Sequence, residues 1–417
     1  MKRTINQAAC ALSLTLMVVT GCDIGGDKYA PRDDLVWLKG NTHAHTLWSD
    51  GNAPPEEVVQ FYDDRSYDFL CLTEHNILAD HERWFPVEEG GRLKPEEVES
   101  LVETYGEDWV ERRVTEGVIE MRLKRLDELQ EQLRTRGSQM LLVPSEEVTD
   151  AYSGKPVHIN GLNFASVVDP QHGGSVEETI EQNYAAIAAH GRENKRQVLA
   201  HVNHPNFGWG VRFQDLAAVE AATFFEVYNG HAGVQNYGDD THSGTEALWD
   251  ITLTSRILDH GFGLILGVAT DDSHDYREYG IGRHNPGRGW VMVQAEENTP
   301  DAIVLAMRMG RFYASTGVTL RDVQFQDKTL RIWIDEEPGV RYTTRFLGTR
   351  HTEKGSMQPS EIFMSTEANP AVFTLSEDAL YVRAKVTSDR EHPNPYLAGD
   401  RESAWVQPVR GLASRGP

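Results

Sequence analysis

Val36-Trp-Leu-Lys-Gly-Asn-Thr42 runs directly into His43-Ala44-His45, and Ser49-Asp50-Gly51 follows shortly after. The first run is mostly apolar and short, as a buried strand is. Two residues apart at a strand end, the His43 and His45 rings point to one face, where both can grip one cation. A lone His-x-His is a weak sign. It gains weight because polar metal-binding residue types recur at the ends of further apolar runs.

Those further runs are Asp68–Thr73, Met140–Val148, Val157–Phe164, Val198–Asn203, Phe224–Asn229, Gly263–Ala269 and Gly289–Gln294. The second strand ends in Thr73-Glu74-His75-Asn76, and the third in Pro144-Ser145-Glu146-Glu147-Val148-Thr149. The fourth opens on Val157-His158, the fifth ends in Asn203-His204-Pro205, and the seventh leads into Asp271-Asp272-Ser273-His274. Helix starts fall between many of them: Pro54-Pro55-Glu56-Glu57, the capping box Ser175-Val-Glu-Glu178, and Thr299-Pro300. Strand and helix alternating in this way predict an α/β fold with a parallel sheet closed as a barrel. Such a barrel builds its site at the strand ends, where these residues fall.

Residues 81–137 form an insertion after the second strand. Its charged, periodic stretch from Pro95 to Arg136 predicts surface helices, serving as a lid or a buttress. After about Thr319 the pattern changes to period two, as in Thr329-Leu-Arg-Ile-Trp-Ile and Ala379-Leu-Tyr-Val-Arg-Ala-Lys-Val. Residues 319–417 are therefore expected to form a small antiparallel β domain. Only His351 and His392 of the 16 histidines lie there, so the chemistry belongs to residues 36–318.

The formal charge of -24 disfavours nucleic acid as a partner, because phosphate backbones are engaged through an excess of Lys and Arg. Met1-Lys2-Arg3, an apolar run from Ala8 to Thr20 and Val19-Thr-Gly-Cys22 have the layout of a secretory signal ending in a sequence that resembles the bacterial lipobox. That resemblance implies a signal peptide over 1–21, lipidation of Cys22, a tether over 22–35, and an exported, membrane-anchored protein on the periplasmic side. Once Cys10 is removed and Cys22 lipidated, only Cys71 remains, within apolar Phe69-Leu-Cys-Leu72, and no intramolecular disulfide is possible.

The order His-x-His, Ser-Asp-Gly, Glu-His, Glu, His, His-Pro and Asp-x-His resembles the PHP (polymerase and histidinol phosphatase) domain, from about Leu38 to Thr316. Glu226-Val-Tyr-Asn229 and Gly310-Arg-Phe-Tyr-Ala-Ser-Thr-Gly317 are similar to its carbaryl-hydrolase-like branch. The family resemblance implies a distorted (β/α)7 barrel and two or three divalent ions. One ion would be held by His43, His45, Glu147 and Asp272, and a second by a bridging Glu147 with His158 and His204. A third would be held by Asp50, His75 and His274. Departures are Glu74 where Asp is usual, Asp50 where some members have His, and Ser145 where the pattern has Gly. His201 rivals His204 and Glu146 rivals Glu147, the motif context favouring the second of each pair.

Imidazole and carboxylate ligands suit Zn, Mn or Fe. The expected enzyme is a metal-dependent hydrolase with a metal-bridging hydroxide and no Ser or Cys nucleophile, a phosphoesterase acting on a small ester. Glu147, His75, His204 and Asp272 are its expected catalytic residues, and the candidates for the general acid are His75, His204 and His231. Arg283, Arg288, Asn229 and His231 are candidate substrate-binding residues. Carbamate or carboxylic ester hydrolysis is the nearest alternative, and a non-catalytic metal- or ligand-binding lipoprotein the alternative from another class. Oligomeric state is not legible.

Overall fold

The computed structural model describes Tyr29, residues 34–351 and residues 358–411. Cys22, the signal-like segment and most of the 22–35 tether lie outside the described residues.

Nine strands of the first part of the chain join the main sheet. They are β1 (Val36–Asn41), β2 (Phe69–His75), β3 (Leu141–Tyr152), β4 (Lys155–Leu162), β5 (Leu199–Val202), β6 (Phe224–Asn229), β7 (Leu266–Thr270), β8 (Trp290–Ala295) and β9 (Phe312–Ser315). Two long strands of the tail follow, β10 (Ala379–Glu391) and β11 (Arg401–Arg410). All eleven share one 13-stranded sheet in the order β7-β6-β5-β4-β3-β2-β1-β8-β9-β11-β10, continued by Tyr342–Arg350 and Glu361–Thr366.

The sheet is mixed, which corrects the expectation of a parallel one. β1, β2 and β3 pair in parallel, as do β5, β6 and β7. β4 runs antiparallel to both β3 and β5, and β8 runs antiparallel to β1. The short Ser153-Gly154 turn, both residues at positive φ (51° and 78°), makes β3 and β4 a hairpin rather than a crossover. The expected closed (β/α)7 barrel is not found as a hydrogen-bonded ring, because no ladder joins β7 to β8 among the described residues. An isolated parallel bridge between Ala44 and Ser273 brings the mouths of β1 and β7 together instead.

The helix starts fall where the sequence placed them. Ser175 Oγ accepts from the Glu178 amide at 3.0 Å, and helices begin at Pro55 and Pro300. Residues 81–137 contain the expected helices, Pro95–Tyr105 and Leu126–Thr135, and also a three-stranded sheet that was not expected. β-Branched Val114-Thr115 and Val118-Ile119 flank Glu116-Gly117, both at positive φ, and that is a two-residue hairpin. This insertion props the Asp50 loop: Arg92 donates to the carbonyls of Ser49 (2.9 Å) and Gly51 (3.1 Å), and the Trp48 indole to that of Lys124 (2.9 Å).

Candidate metal centre

The ends of β1, β2, β5 and β7 and the middle of β3 converge on one cluster. His43 Nε2 and His45 Nε2 stand 3.1 Å apart, and Asp272 Oδ1 lies 3.3 Å from each. Glu147 Oε1 is 3.5 Å from His43 Nε2, 3.0 Å from His158 Nδ1 and 3.3 Å from His204 Nε2. Towards solvent, Asp50 approaches His274 Nε2 (3.1 Å) and His75 Nε2 (3.3 Å). All nine residues singled out by sequence therefore meet, and four groupings among them are tight enough to surround one ion each. The partition differs from the one the resemblance implies. His75 also reaches Glu147 Oε2 with Nδ1 (2.8 Å), and His45 joins the Asp50 grouping.

β4 belongs here because it runs backwards. Its first residues pair with the last of β3, Thr149 opposite His158 and Glu147 opposite Asn160, so a strand start shares the mouth of the sheet. The two motif rivals fall elsewhere. Glu146 faces away and accepts from the Val168 amide at 2.9 Å, and the His201 ring lies 6.5 Å from His43 in the core. Asp271 also turns away, accepting from the amides of Gly287, Arg288 and Gly289 and from the Tyr62 hydroxyl. His204 (φ 24°) and Asp272 (φ 48°) hold left-handed backbone, strain of the kind that concentrates where side chains are aimed at a task.

A ring of partners fixes the donors. Glu226, fully buried, accepts from His43 Nδ1 (2.7 Å), the His204 amide (2.7 Å), Asn229 Nδ2 (2.7 Å) and Thr270 Oγ1 (2.8 Å). The His43 tautomer is thereby set with its free lone pair on Nε2, facing the cluster. Asn203 donates to Glu147 Oε1 (2.7 Å) and Asn229 to Asp272 Oδ2 (3.0 Å). Glu74 accepts from the Thr46 amide, the Thr46 hydroxyl and Ser49, so it holds the loop between His45 and Asp50 rather than joining the donors.

Electrostatics bear on what the cluster can hold. Burial opposes charge on His43, but Asp272, Glu226 and Glu147 outweigh it and hold the ring well above the usual histidine pKa. His75 is likewise pushed up to about 11 by Glu147 and Asp50 against the cost of its burial. Glu147, despite burial, is held well below the carboxylate range by His158, His75 and His43. Burial and the neighbouring His274 bring His45 down to about 3. Two imidazole nitrogens at 3.1 Å, one unable to accept a proton readily, are satisfied by a cation accepting both lone pairs. Glu147 Oε2, buried with only the His75 and His45 rings beside it (2.8 and 3.5 Å), is a further donor of this kind. The residues thus fit divalent ions on the chemistry of the donor set.

The four substrate candidates divide. Arg288 is fully buried and donates to the carbonyls of Gly230 (2.8 Å), Gly280 (2.9 Å) and Asn394 (3.2 Å), so it braces loops and is not free for an anion. Arg283 pairs with Glu278 and Asp275 on the outside. Asn229 acts through Asp272 and Glu226. His231 stays at the mouth, 5.3 Å from His274 between ring centres. Phe207, in the loop after β5, stands 5.1 Å from the His204 ring and 5.8 Å from that of His231. Glu226 was legible only as a carboxylate inside an apolar strand, and as part of a family motif.

No protein-family model matches this chain, and no curated protein does. Among solved structures, it is similar to a two-domain protein containing a predicted PHP-like metal-dependent phosphoesterase from Bacteroides vulgatus. That likeness covers 90% of this chain and 96% of the other at 15% identity, with a TM-score of 0.40. A proposed metal-dependent phosphoesterase from Bifidobacterium adolescentis is similar over 56% of this chain and 87% of its own, at 11% identity and a TM-score of 0.32. Neither likeness is close enough to carry an activity across, so the functional reading rests on the side chains.

Proposed function

We propose that the protein is a metal-dependent hydrolase of the PHP type, acting on small phosphoesters. The observation that carries this is the convergence of His43, His45, Glu147 and Asp272 with no Lys or Arg against any of them among the described residues. Buried carboxylates need a counter-charge, and here only imidazoles and bound cations can supply it. Two or three divalent ions would lower the pKa of shared water and offset charge developing on the ester. The chain's own contribution is positional. Glu226 and Asn203 orient His43 and Glu147, Asn229 orients Asp272, and Phe207 narrows the mouth beside His204. The lipobox-like sequence before Cys22 supports an exported, lipid-anchored form.

Metal content by mass spectrometry, on the wild type and Glu147→Ala, tests the reading. Two or three ions per chain, falling sharply in the variant, are expected, with turnover of an aryl phosphate. Turnover of an aryl carbamate alone would keep the metal centre and replace the substrate class. One ion or none after incubation with Zn and Mn would remove the basis for hydrolysis and favour a binding lipoprotein.

A further inference from the structure

Three loops meet on one side of the cluster: Phe207 after β5, His231 after β6 and His284 between β7 and β8. The His231 and His284 rings stack face to face, 3.7 Å between centres and 13° from parallel. Both stand beside His274, His231 at 5.3 Å and His284 at 6.1 Å. Each ring is fixed by the backbone. The Gly233 amide donates to His231 Nδ1 at 3.0 Å, and the Ala232 amide donates to His284 Nδ1 at 3.2 Å. A Cβ on Gly233 would stand 2.9 Å from His231 Cε1, so the missing side chain is what allows the amide this close.

An amide donates only to a lone pair, so Nδ1 of both rings is unprotonated and the single proton sits on Nε2. Two charged rings at that separation would also repel. Neither Nε2 meets a partner among the described residues, and neither is sealed from solvent. A nitrogen that carries its proton has no lone pair for a metal, and neither histidine falls in a metal-binding grouping. The two rings therefore present a pair of neutral N–H donors, preset in direction, at the edge of the Asp50–His75–His274 grouping.

We propose that His231 and His284 form a neutral donor wall that binds a phosphoryl oxygen of the substrate. The proposal rests on the phosphoester reading above and deepens it by naming the groups that hold the anion. It also takes His231 out of the set of general acids. Loss of the Nε2 proton from a neutral ring would leave an imidazolate, whereas donation of a hydrogen bond leaves the ring unchanged. Donors fixed in advance cost little reorganisation when charge develops on the oxygen they face.

Calorimetry of inorganic phosphate binding to the metal-loaded full chain tests this, with metal content measured on every sample. A hydrogen bond to a charged oxygen corresponds to roughly a ten- to hundredfold change in affinity. His231→Ala should weaken phosphate binding by that factor with metal content unchanged, and His284→Ala should do so by at least threefold. His231→Gln, whose amide N–H can take the place of Nε2–H, should recover most of the loss. KM for an aryl phosphate should rise with the phosphate dissociation constant, and the pH–rate profile of His231→Gln should keep its wild-type shape. Full metal content with phosphate affinity within twofold of wild type in both alanine variants, or no phosphate binding by the wild type, would overturn the donor wall alone. So would loss of the alkaline limb in His231→Gln, which marks a proton donor. Absence of metal from the wild type would overturn the hydrolase reading and this one with it.

Discussion

Glu226→Gln changes one atom's chemistry and leaves the volume alone, which makes it the sharpest probe of how the cluster is held. The carboxylate takes two donors on each oxygen: His43 Nδ1 and Thr270 Oγ1 on one, the His204 amide and Asn229 Nδ2 on the other. A glutamine offers one accepting oxygen and one NH2 group, so one pair must face donors. If NH2 takes the His43 side, the imidazole can accept only by moving its proton to Nε2, the atom that faces the cluster. If NH2 takes the other side, Asn229 can flip but the His204 amide cannot. In the first case the metal must displace a proton, and in the second a buried amide loses its acceptor at a cost of about 1–3 kcal/mol. Partners of this type typically govern metal affinity by about ten- to a hundredfold, or 1.4–2.8 kcal/mol. Competition with a chromogenic chelator should show a loss in that range for Glu226→Gln, with far-ultraviolet circular dichroism unchanged. Metal affinity within twofold of wild type would refute the reasoning that Glu226 sets the His43 tautomer.

Removing metal should give a pH dependence of definite sign. His43, His75, His204 and His274 are raised, so the stability they add to the metal-free protein is complete below the unfolded value of about 6.5. It fades as pH rises through the folded values, about 11 for His75. Glu147 and Asp272 are depressed and act from about pH 4 upwards, while His45, His201, His231 and His284, held neutral by burial, cost stability only below about pH 6.5 and add no slope above it. Chelator-treated protein should lose Tm steadily above about pH 6.5, and the Tm gain from added Zn or Mn should widen over the same range as bound metal displaces those protons. A gap that narrows with rising pH would refute this. Arg288→Ala should cost about 2–4 kcal/mol in urea unfolding, because several loop carbonyls lose their donor together. A raised KM at unchanged stability would return Arg288 to the substrate.

Most of the candidate ligand residues were legible because they break or close an apolar run, and such breaks are costly unless shared. His43, His45, His75, Glu147, His204 and Asp272 all carry that mark. What stayed hidden depends on contacts between distant segments. The reversal of β4 turns on the two residues Ser153-Gly154, and apolar runs read the same in either direction. Arg288 was read as a substrate-binding candidate because its real acceptors are backbone carbonyls, which no side-chain pattern announces. The His231–His284 stack joins residues 53 positions apart through two backbone amides, and only the folded loops bring them together. The 81–137 hairpin was masked by helix-like charge periodicity, though β-branched pairs around Glu116-Gly117 were there to be read.

The tail raises the question of what completes the sheet. β7 leads into Asp272 and His274 of the site, yet it stands at the end of the sheet order with one edge unpaired by any strand among the described residues. A buried edge with free amides and carbonyls is costly. Gln407, fully buried on β11, meets it: the Gly267 amide donates to its Oε1 (2.9 Å) and its Nε2 donates to the Gly267 carbonyl (2.7 Å). One side-chain amide thus imitates one residue of a neighbouring strand. β11 is bonded in turn to β9, β9 to β8 and β8 to β1, which delivers His43 and His45. The two arms of the His/Asp/Glu cluster are therefore tied together through the tail, and Arg383 on β10 adds a buried pair with Asp250 (2.6 Å) on the Thr245–Ser255 helix. Without residues 319–417, Gly267 would lose both partners and β7 its outer support. The tail works as the closing segment of the sheet that aims Asp272.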